Sequence, residues 1–365
     1  MTFQNAFAGK RVFITGHTGF KGSWLAAWLH VLGADVTGFA QPPEYAFSHF
    51  EQLGLANRIR HIEGDIRDAS SLRRALCGAR PEFVFHLAAQ PLVRRSYAEP
   101  KLTFDTNVGG SVNLLEAVRD CDAVRALIYV TSDKCYRNRE SREGYRETDE
   151  LGGHDPYSAS KACAELVLAS YRSSFFSAPG ASIMAASVRA GNTIGGGDFA
   201  EDRIVPDCIR ALAAGRPIPV RNPHAIRPWQ HVLEPLSGYL ALASRLYTGE
   251  DLRGAWNFGP ERESHRTVGE LVNTVIESWG SGSKELVFGG GLGETSTLYL
   301  NCDKSERELG WRPVFGFRQA VRRTVDWYRE AAAGAGVWEL TTAQIDEYSA
   351  AQPTKKRADY KSAAG

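Results

Sequence analysis

In the stretch RALIYVTSDKCY, Ser132, Asp133 and Lys134 stand side by side directly after an apolar run. The run reads as a buried strand, so a hydroxyl, a carboxylate and an amine sit where the strand ends. Groups of these three kinds can pass protons. Farther along, in YSASK, Tyr157 and Lys161 are four residues apart. On a helix that spacing puts both side chains on one face. An ammonium beside a phenol favours the phenolate and lowers the tyrosine pKa. A tyrosine so tuned can accept a proton from an alcohol while a hydride leaves the same carbon. A Tyr-Lys pair alone also describes many exposed helix faces, so its meaning depends on what surrounds it.

The surroundings begin at TGHTGFKG, between the strand KRVFITG and the helix GSWLAAWLHVLG. Gly16 allows a tight turn, Gly19 lets a diphosphate approach the backbone, and Gly22 lets the helix pack closely on the sheet. The diphosphate then meets the N–H groups at the positive end of the helix. The acidic residue that would hold the adenosine ribose, expected near Ala40 and Gln41, is absent, and so is a nearby arginine for a 2′-phosphate. On the residues alone, NAD and NADP both stay open. Asp65 could accept from the adenine amine. Its alternative use is a helix cap, although Asp68 or Ser70 suits that better.

These groups need elements to position them. Short apolar or β-branched runs (KRVFITG, ADVTGFA, RIRHIEGD, EFVFHLAA, RALIYVTS, ASIMAASVRAGN) alternate with helical patterns, including ASSLRRALCG, PKLTFDTNVGGSVNLLEAVRD and DPYSASKACAELVLASYRSSF. Such alternation implies right-handed βαβ units. The expected fold is α/β, a Rossmann-type doubly wound parallel sheet with a smaller C-terminal α/β substrate lobe. Residues 1–192 form the dinucleotide-binding domain, rejoined by part of 228–255. Residues 193–340, where Gly and Pro become frequent, form most of the substrate lobe, and 341–365 read as a weakly ordered polar tail.

Composition excludes several classes. Lys plus Arg (43) nearly balances Asp plus Glu (42), so no global field draws the chain to nucleic acid or an anionic membrane. Six cysteines without a CxxC pair read as reduced thiols, with no metal site expected. The N-terminus shows no signal-peptide pattern and no stretch reads as a membrane span, which fits a cytoplasmic protein.

The glycine turn, HLAAQ, TNVGG, TSD, YSASK and VRAGN together resemble the extended short-chain dehydrogenase/reductase family. That resemblance implies Ser132 as the active-site hydroxyl, Tyr157 as acid/base, and Lys161 as the lysine that also holds the nicotinamide ribose. It implies an NAD cofactor held by Gly16, Thr18, Gly19, Phe20, Gly22, Asp65, Ile66, Leu87, Ala88, Ala89, Asn107, Tyr157 and Lys161. Within the family a strand end Thr/Ser-Asp-Glu marks nucleotide-sugar 4,6-dehydratases, and here Lys134 replaces the Glu. Those enzymes oxidise the sugar at C4, remove the C5 proton, expel the C6 hydroxyl as water and reduce C6. By position Asp133 is the acid toward the C6 oxygen and Lys134 the C5 base. An ordinary lysine, with a pKa of ~10.4, is almost wholly protonated at neutral pH, so this role requires burial or a cationic neighbour. A charged Lys134 would instead steady the enolate oxygen or orient Asp133.

The strings TGHTGFKGSW, AAQPLVRRSY, TSDKCY, RAGNTIGGGDFAEDR and NPHAIRPWQHVLEPLSGYL are similar to the branch that uses CDP-glucose, which implies that substrate and a role in deoxysugar and O-antigen synthesis. Arg203 and Arg227 are the expected grips on the diphosphate, since arginine forks suit phosphate oxygens. Asn192 and Asn257 follow by resemblance. Gln90 and Arg94 are sugar contacts by their place after the fourth strand. The helices carrying TNVGG and YSASK are the family's usual homodimer seam. The alternatives are a 4,6-dehydratase or 4-epimerase for another nucleotide sugar, and a non-catalytic dinucleotide-binding protein. An epimerase needs no acid at C6, and a sensor needs no Tyr-Lys pair.

Overall fold

The uniformly apolar strands of the first half stack into one parallel sheet because both of its faces are covered. The computed structural model describes residues 3, 5–45, 47–141, 143–178, 183–287 and 298–352. In chain order the strands are β1 (Arg11–Thr15), β2 (Asp35–Ala40), β3 (Arg60–Glu63), β4 (Phe83–His86), β5 (Ala126–Val130), β6 (Met184–Ala190), β7 (Thr193–Ile194), β8 (Ile218–Val220), β9 (Ile226–Pro228), β10 (Gln230–His231), β11 (Gly254–Phe258), β12 (His265–Thr267) and β13 (Lys284–Leu286). Seven of them form the sheet β11-β6-β5-β4-β1-β2-β3, every pair parallel. The strand order reverses between β1 and β4, and ligands of such sheets bind outside the carboxyl ends at that point.

Alternate side chains enter two cores. Val12, Ile14 and Phe85 pack on one face with Trp24 and Trp28 of helix Phe20–Val31. Phe13, Val84 and Leu127 face the other side with Leu114 and Leu115 of helix Gly110–Arg119. Asp68 caps helix Ala69–Ala79 by accepting from Ser71 N at 3.0 Å, which leaves Asp65 free of that duty. Asp155 caps helix Pro156–Tyr171, with Pro156 in its first turn. The helix expected over PKLTFDTNVGG is continuous but opens into a π turn at Asp105–Gly109.

After β6 the chain leaves the sheet, makes the short pairs β10-β7, β12-β9 and β13-β8, and returns twice. Helix Leu233–Tyr247 packs on β5 and β6, and β11 closes the sheet edge beside β6. The expected polar tail is corrected by the structure. Residues Val337–Ala351 form a helix that buries Thr341, Ile345 and Tyr348 at helical spacing. Its polar remainder hid that stripe. The end of the expected tail, 353–365, lies outside the described residues. Among the described residues no helix is long and apolar enough to cross a membrane.

Candidate active site

β5 is wholly buried and ends in a short turn, Asp133–Cys135, that carries the polar trio. Ser132 Oγ donates to Asp133 Oδ1 at 2.9 Å and accepts from the Lys134 backbone N–H at 3.2 Å. Asp133 Oδ2 lies against Gly191 at the end of β6, where an added Cβ would stand 3.2 Å away. Asp133 is 5% exposed, and burial pushes its carboxyl above the ordinary range against the opposing charges of Lys134 and Lys21 and the Ser132 hydroxyl. Tyr157 reaches the same hydroxyl from helix Pro156–Tyr171, and Lys161, one turn on, donates to Val130 O at 3.5 Å. The structure therefore gathers Ser132, Asp133, Lys134, Tyr157 and Lys161 at one strand end.

The electrostatics differ from the expectation in one respect. Burial raises the Tyr157 phenol to about 12, and the groups that pull it down are Ser132 and Arg203. The Lys161 ammonium is itself lowered to about 8, first by burial and then by the charge of Lys21. Desolvation outweighs the nearby cation in the protein alone, because removing a phenolate from water costs more than a distant charge returns.

The glycine turn forms a cradle for a dinucleotide. Gly16 has φ +78°, and a Cβ there would come within 2.7 Å of Ala88 N. At Gly22 a Cβ would lie 2.1 Å from Gly16 O, whereas Gly19 is exposed and meets nothing closer than 3.5 Å. The following helix has no side-chain cap and no acid in its first turn, so its N–H groups are open to an anion. At the adenosine end Thr18 donates to Gln41 O at 3.0 Å, Gln41 donates to Asp65 at 2.8 Å, and Arg67 grips the same carboxylate. The cation at that end is thus neutralised by Asp65, which suits a ribose hydroxyl better than a phosphate. Ile66 is buried against Gly110, whose own Cβ would strike it, so that glycine serves the core. Leu87 and Ala88 hang from Thr15 by their amide N–H groups, and Leu87, Ala88 and Ala89 form the half-buried wall after β4.

Three expected contacts are already engaged. Asn257 is fully buried, and its amide accepts from Tyr136 at 2.8 Å and donates to the backbone of Tyr145 and Asn301. These bonds tie β11 to the loop before the Tyr-Lys helix. Gln90 is 5% exposed and braces its own loop through Leu92 and Thr103. Asn107 bonds Gln90's backbone and Ser160, a strut behind the cofactor wall. Arg94 is exposed and pairs with Asp202 at 2.7 Å. Arg203 pairs with Asp198 at 3.0 Å, and its charge reaches Tyr157. Asn192 is half-buried just after β6, and Arg227, on β9, is also half-buried.

Sequence reading passed over two features. Glu165 and Arg189, 5% and 3% exposed, form a buried ion pair beneath the strand end. A charge inside the apolar strand ASVRAGN was the available signal. Lys21 was also passed over, although an amine on the first turn of a helix opposes the helix dipole and so asks for a reason. A separate open cavity of about 300 Å³ lies among residues such as Arg262, His265, Tyr299 and Asp303, and no strand-end residue lines it.

The profile of the NAD dependent epimerase/dehydratase family matches residues 12–257, and the chain belongs to that family. It is 46% identical over 356 residues to a CDP-glucose 4,6-dehydratase of Salmonella typhimurium, covering 96% of this chain and 99% of that one. It is 27% identical to a dTDP-glucose 4,6-dehydratase of Xanthomonas campestris pv. campestris, covering 75% and 80%. Among solved structures, the dTDP-glucose 4,6-dehydratase DesIV of Streptomyces venezuelae with NAD bound aligns with a TM-score of 0.75 and 26% identity, over 90% of this chain and 99% of that one. The family's cofactor is NAD, and the cradle around Gly16, Gly19 and Gly22 fits it.

Proposed function

We propose that the chain is a CDP-glucose 4,6-dehydratase, converting CDP-glucose to CDP-4-dehydro-6-deoxyglucose and water. The observation that carries this is the trio of buried Ser132 and Asp133 with half-buried Lys134, set beside Tyr157, in a chain 46% identical to such an enzyme over nearly its whole length. The glycine cradle, the wall after β4 and Lys161 would hold NAD, which would supply a hydride acceptor for C4 and return that hydride to C6.

The side chains do the proton work. Tyr157 takes the C4 hydroxyl proton, and Ser132, bonded to Asp133 and set beside Tyr157, steadies that oxygen. Asp133, whose pKa is raised by burial, keeps a proton to give to the C6 oxygen, which leaves as water. Lys134, half-buried at the turn, takes the C5 proton through its neutral amine and returns it after C6 is reduced. Arg203 and Arg227 grip the diphosphate, Asn192 sits at the seam between lobes, and Arg94 reaches the sugar from its exposed pair with Asp202. Phe104 and Leu166, exposed large side chains on the helices of the family's seam, support a homodimer. As a cytoplasmic enzyme it would feed deoxysugar and O-antigen synthesis.

The test is a panel of CDP-, dTDP-, UDP- and GDP-glucose read by mass spectrometry. Loss of one water from the CDP sugar supports the reading. Loss from dTDP-glucose with CDP-glucose inert would overturn the substrate.

A further inference from the structure

His49 opens the short helix His49–Gln52 and is buried, yet none of the roles above uses it. Three parts of the molecule meet its ring. Its Nδ1 lies 2.8 Å from Ser23 Oγ, in the first turn of the cofactor helix Phe20–Val31. Ser23 N donates to Gly19 O at 2.8 Å, so the same residue holds the glycine turn. The other ring nitrogen, Nε2, lies 3.1 Å from Thr341 Oγ1 on the C-terminal helix Val337–Ala351. The ring also faces Gly197, where an added Cβ would stand 2.5 Å away, in the loop that carries Asp198 and Arg203. Trp24 of the cofactor helix donates to Gly196 O in that loop at 2.9 Å.

Counting protons fixes the direction of these bonds. Ser23, His49, Thr341 and Trp327 are all buried, so each of their protons needs a protein acceptor. Trp327 Nε1 can only donate, and it donates to Thr341 Oγ1 at 3.1 Å. Ser23 Oγ donates to Phe20 O at 2.9 Å, which leaves it an acceptor toward His49. Burial lowers the imidazole to about 3, so it is neutral and carries one proton. With that proton on Nδ1, the Thr341 hydroxyl donates to Nε2 and all four protons are accepted. With it on Nε2, the Thr341 proton finds no acceptor among the described residues. We propose that His49, as the Nδ1–H tautomer, is a positioning residue for the cofactor. It carries a chain of hydrogen bonds from Trp327 and Thr341 to Ser23 and Phe20, so that the C-terminal helix holds the first turn of the cofactor helix in place. The glycine cradle lies directly before that turn, and the chain thereby sets how firmly NAD is held. The inference needs the family's NAD alone and does not depend on which nucleotide sugar is turned over.

The experiment compares holoenzyme of the unaltered chain with Thr341→Val and Thr341→Ser. Two-bond proton–nitrogen NMR spectra of 15N-histidine protein show which ring nitrogen of His49 holds the proton, its signals being assigned by their loss in His49→Asn. Exchange of bound NAD for added NADH, read by fluorescence, shows how firmly the cofactor is held. In the unaltered chain the His49 proton is expected on Nδ1. Thr341→Val removes the hydroxyl at nearly constant volume and leaves two buried polar groups unmet, which should speed exchange by roughly three- to tenfold. Thr341→Ser keeps the hydroxyl and should exchange at the parent rate. A His49 proton on Nε2 overturns the proposal, and this is read on the unaltered chain, so it decides even where a variant fails to fold. Thr341→Val protein that melts lower yet exchanges NAD at the parent rate also overturns it, since Thr341 would then only hold its helix. So does Thr341→Ser protein that exchanges as fast as Thr341→Val.

Discussion

Lys161 and Glu165 lie one turn apart on the same buried helix, and the polar clusters around them behave in opposite ways. Glu165 accepts from Arg189 at 2.8 Å through both oxygens and from Ser187 at 2.7 Å, and also bonds Thr131; Arg189 donates onward to Tyr136 at 2.7 Å. Every strong donor there meets an acceptor, and the carboxyl stays below its ordinary pKa despite burial. Around Lys161 and Asp133 the bonds are fewer, so burial wins and both groups are pushed toward their neutral forms. Equal burial with saturated bonding makes scaffold, whereas equal burial with spare bonding capacity leaves groups able to exchange protons with a ligand.

The largest expected effect that would sharpen this contrast is at Tyr157. Tyr157→Phe should lower the rate of product formation by ~10²–10⁴-fold while the melting temperature stays close to that of the parent chain. Retained turnover would break the assignment of the strand end as the reactive region. Next, Lys134→Ala should allow reduced nicotinamide to build up on mixing with CDP-glucose but slow water loss by roughly a hundredfold. Stopped-flow absorbance and mass spectrometry read the two steps separately, and unimpaired water loss would remove Lys134 from the mechanism.

The opposite pattern is expected at the saturated cluster. Glu165→Ala leaves the Arg189 charge buried and unpaired, which should cost about 3–5 kcal/mol in denaturant unfolding. Replacing the pair together by Leu and Met should recover much of that loss. A small cost for the single change would show that the network is not what supports the strand end.

A milder case lies in the C-terminal half. Glu234 accepts from Val314 N at 3.0 Å, Phe315 N at 2.6 Å and Tyr348 OH at 2.6 Å, yet burial still raises it to about 7. The folded chain therefore holds a proton that an unfolded chain, with its carboxyl at the ordinary 4.5, has released. This group's contribution to stability falls as pH rises from about that ordinary value to about 7 and is level above it. Thermal melts of Glu234→Gln between those limits should show a shallower decline than the parent chain, and identical slopes would refute the linkage.

The glycine turn, the trio after β5 and the Tyr-Lys spacing were legible before any coordinates, because each is a local pattern whose chemistry depends on near neighbours in the chain. Helix Val337–Ala351 was not legible. Its three anchoring residues are outnumbered by polar ones, and its partner Glu234 is over a hundred residues away. The hydrogen-bond partners of Asn257 and Gln90 were not legible for a related reason: an amide's partners belong to other segments, and the sequence does not say which lone pairs are spent.

By itself the chain's order of residues settled the parallel doubly wound fold and named the candidate reactive groups, since both follow from periodicity and short-range spacing. Only the tertiary structure decided how strongly those groups hold their protons. Desolvation, the charges of Lys21 and Arg203 and the approach of Gly191 from separate segments set that balance, and all are properties of the packed molecule.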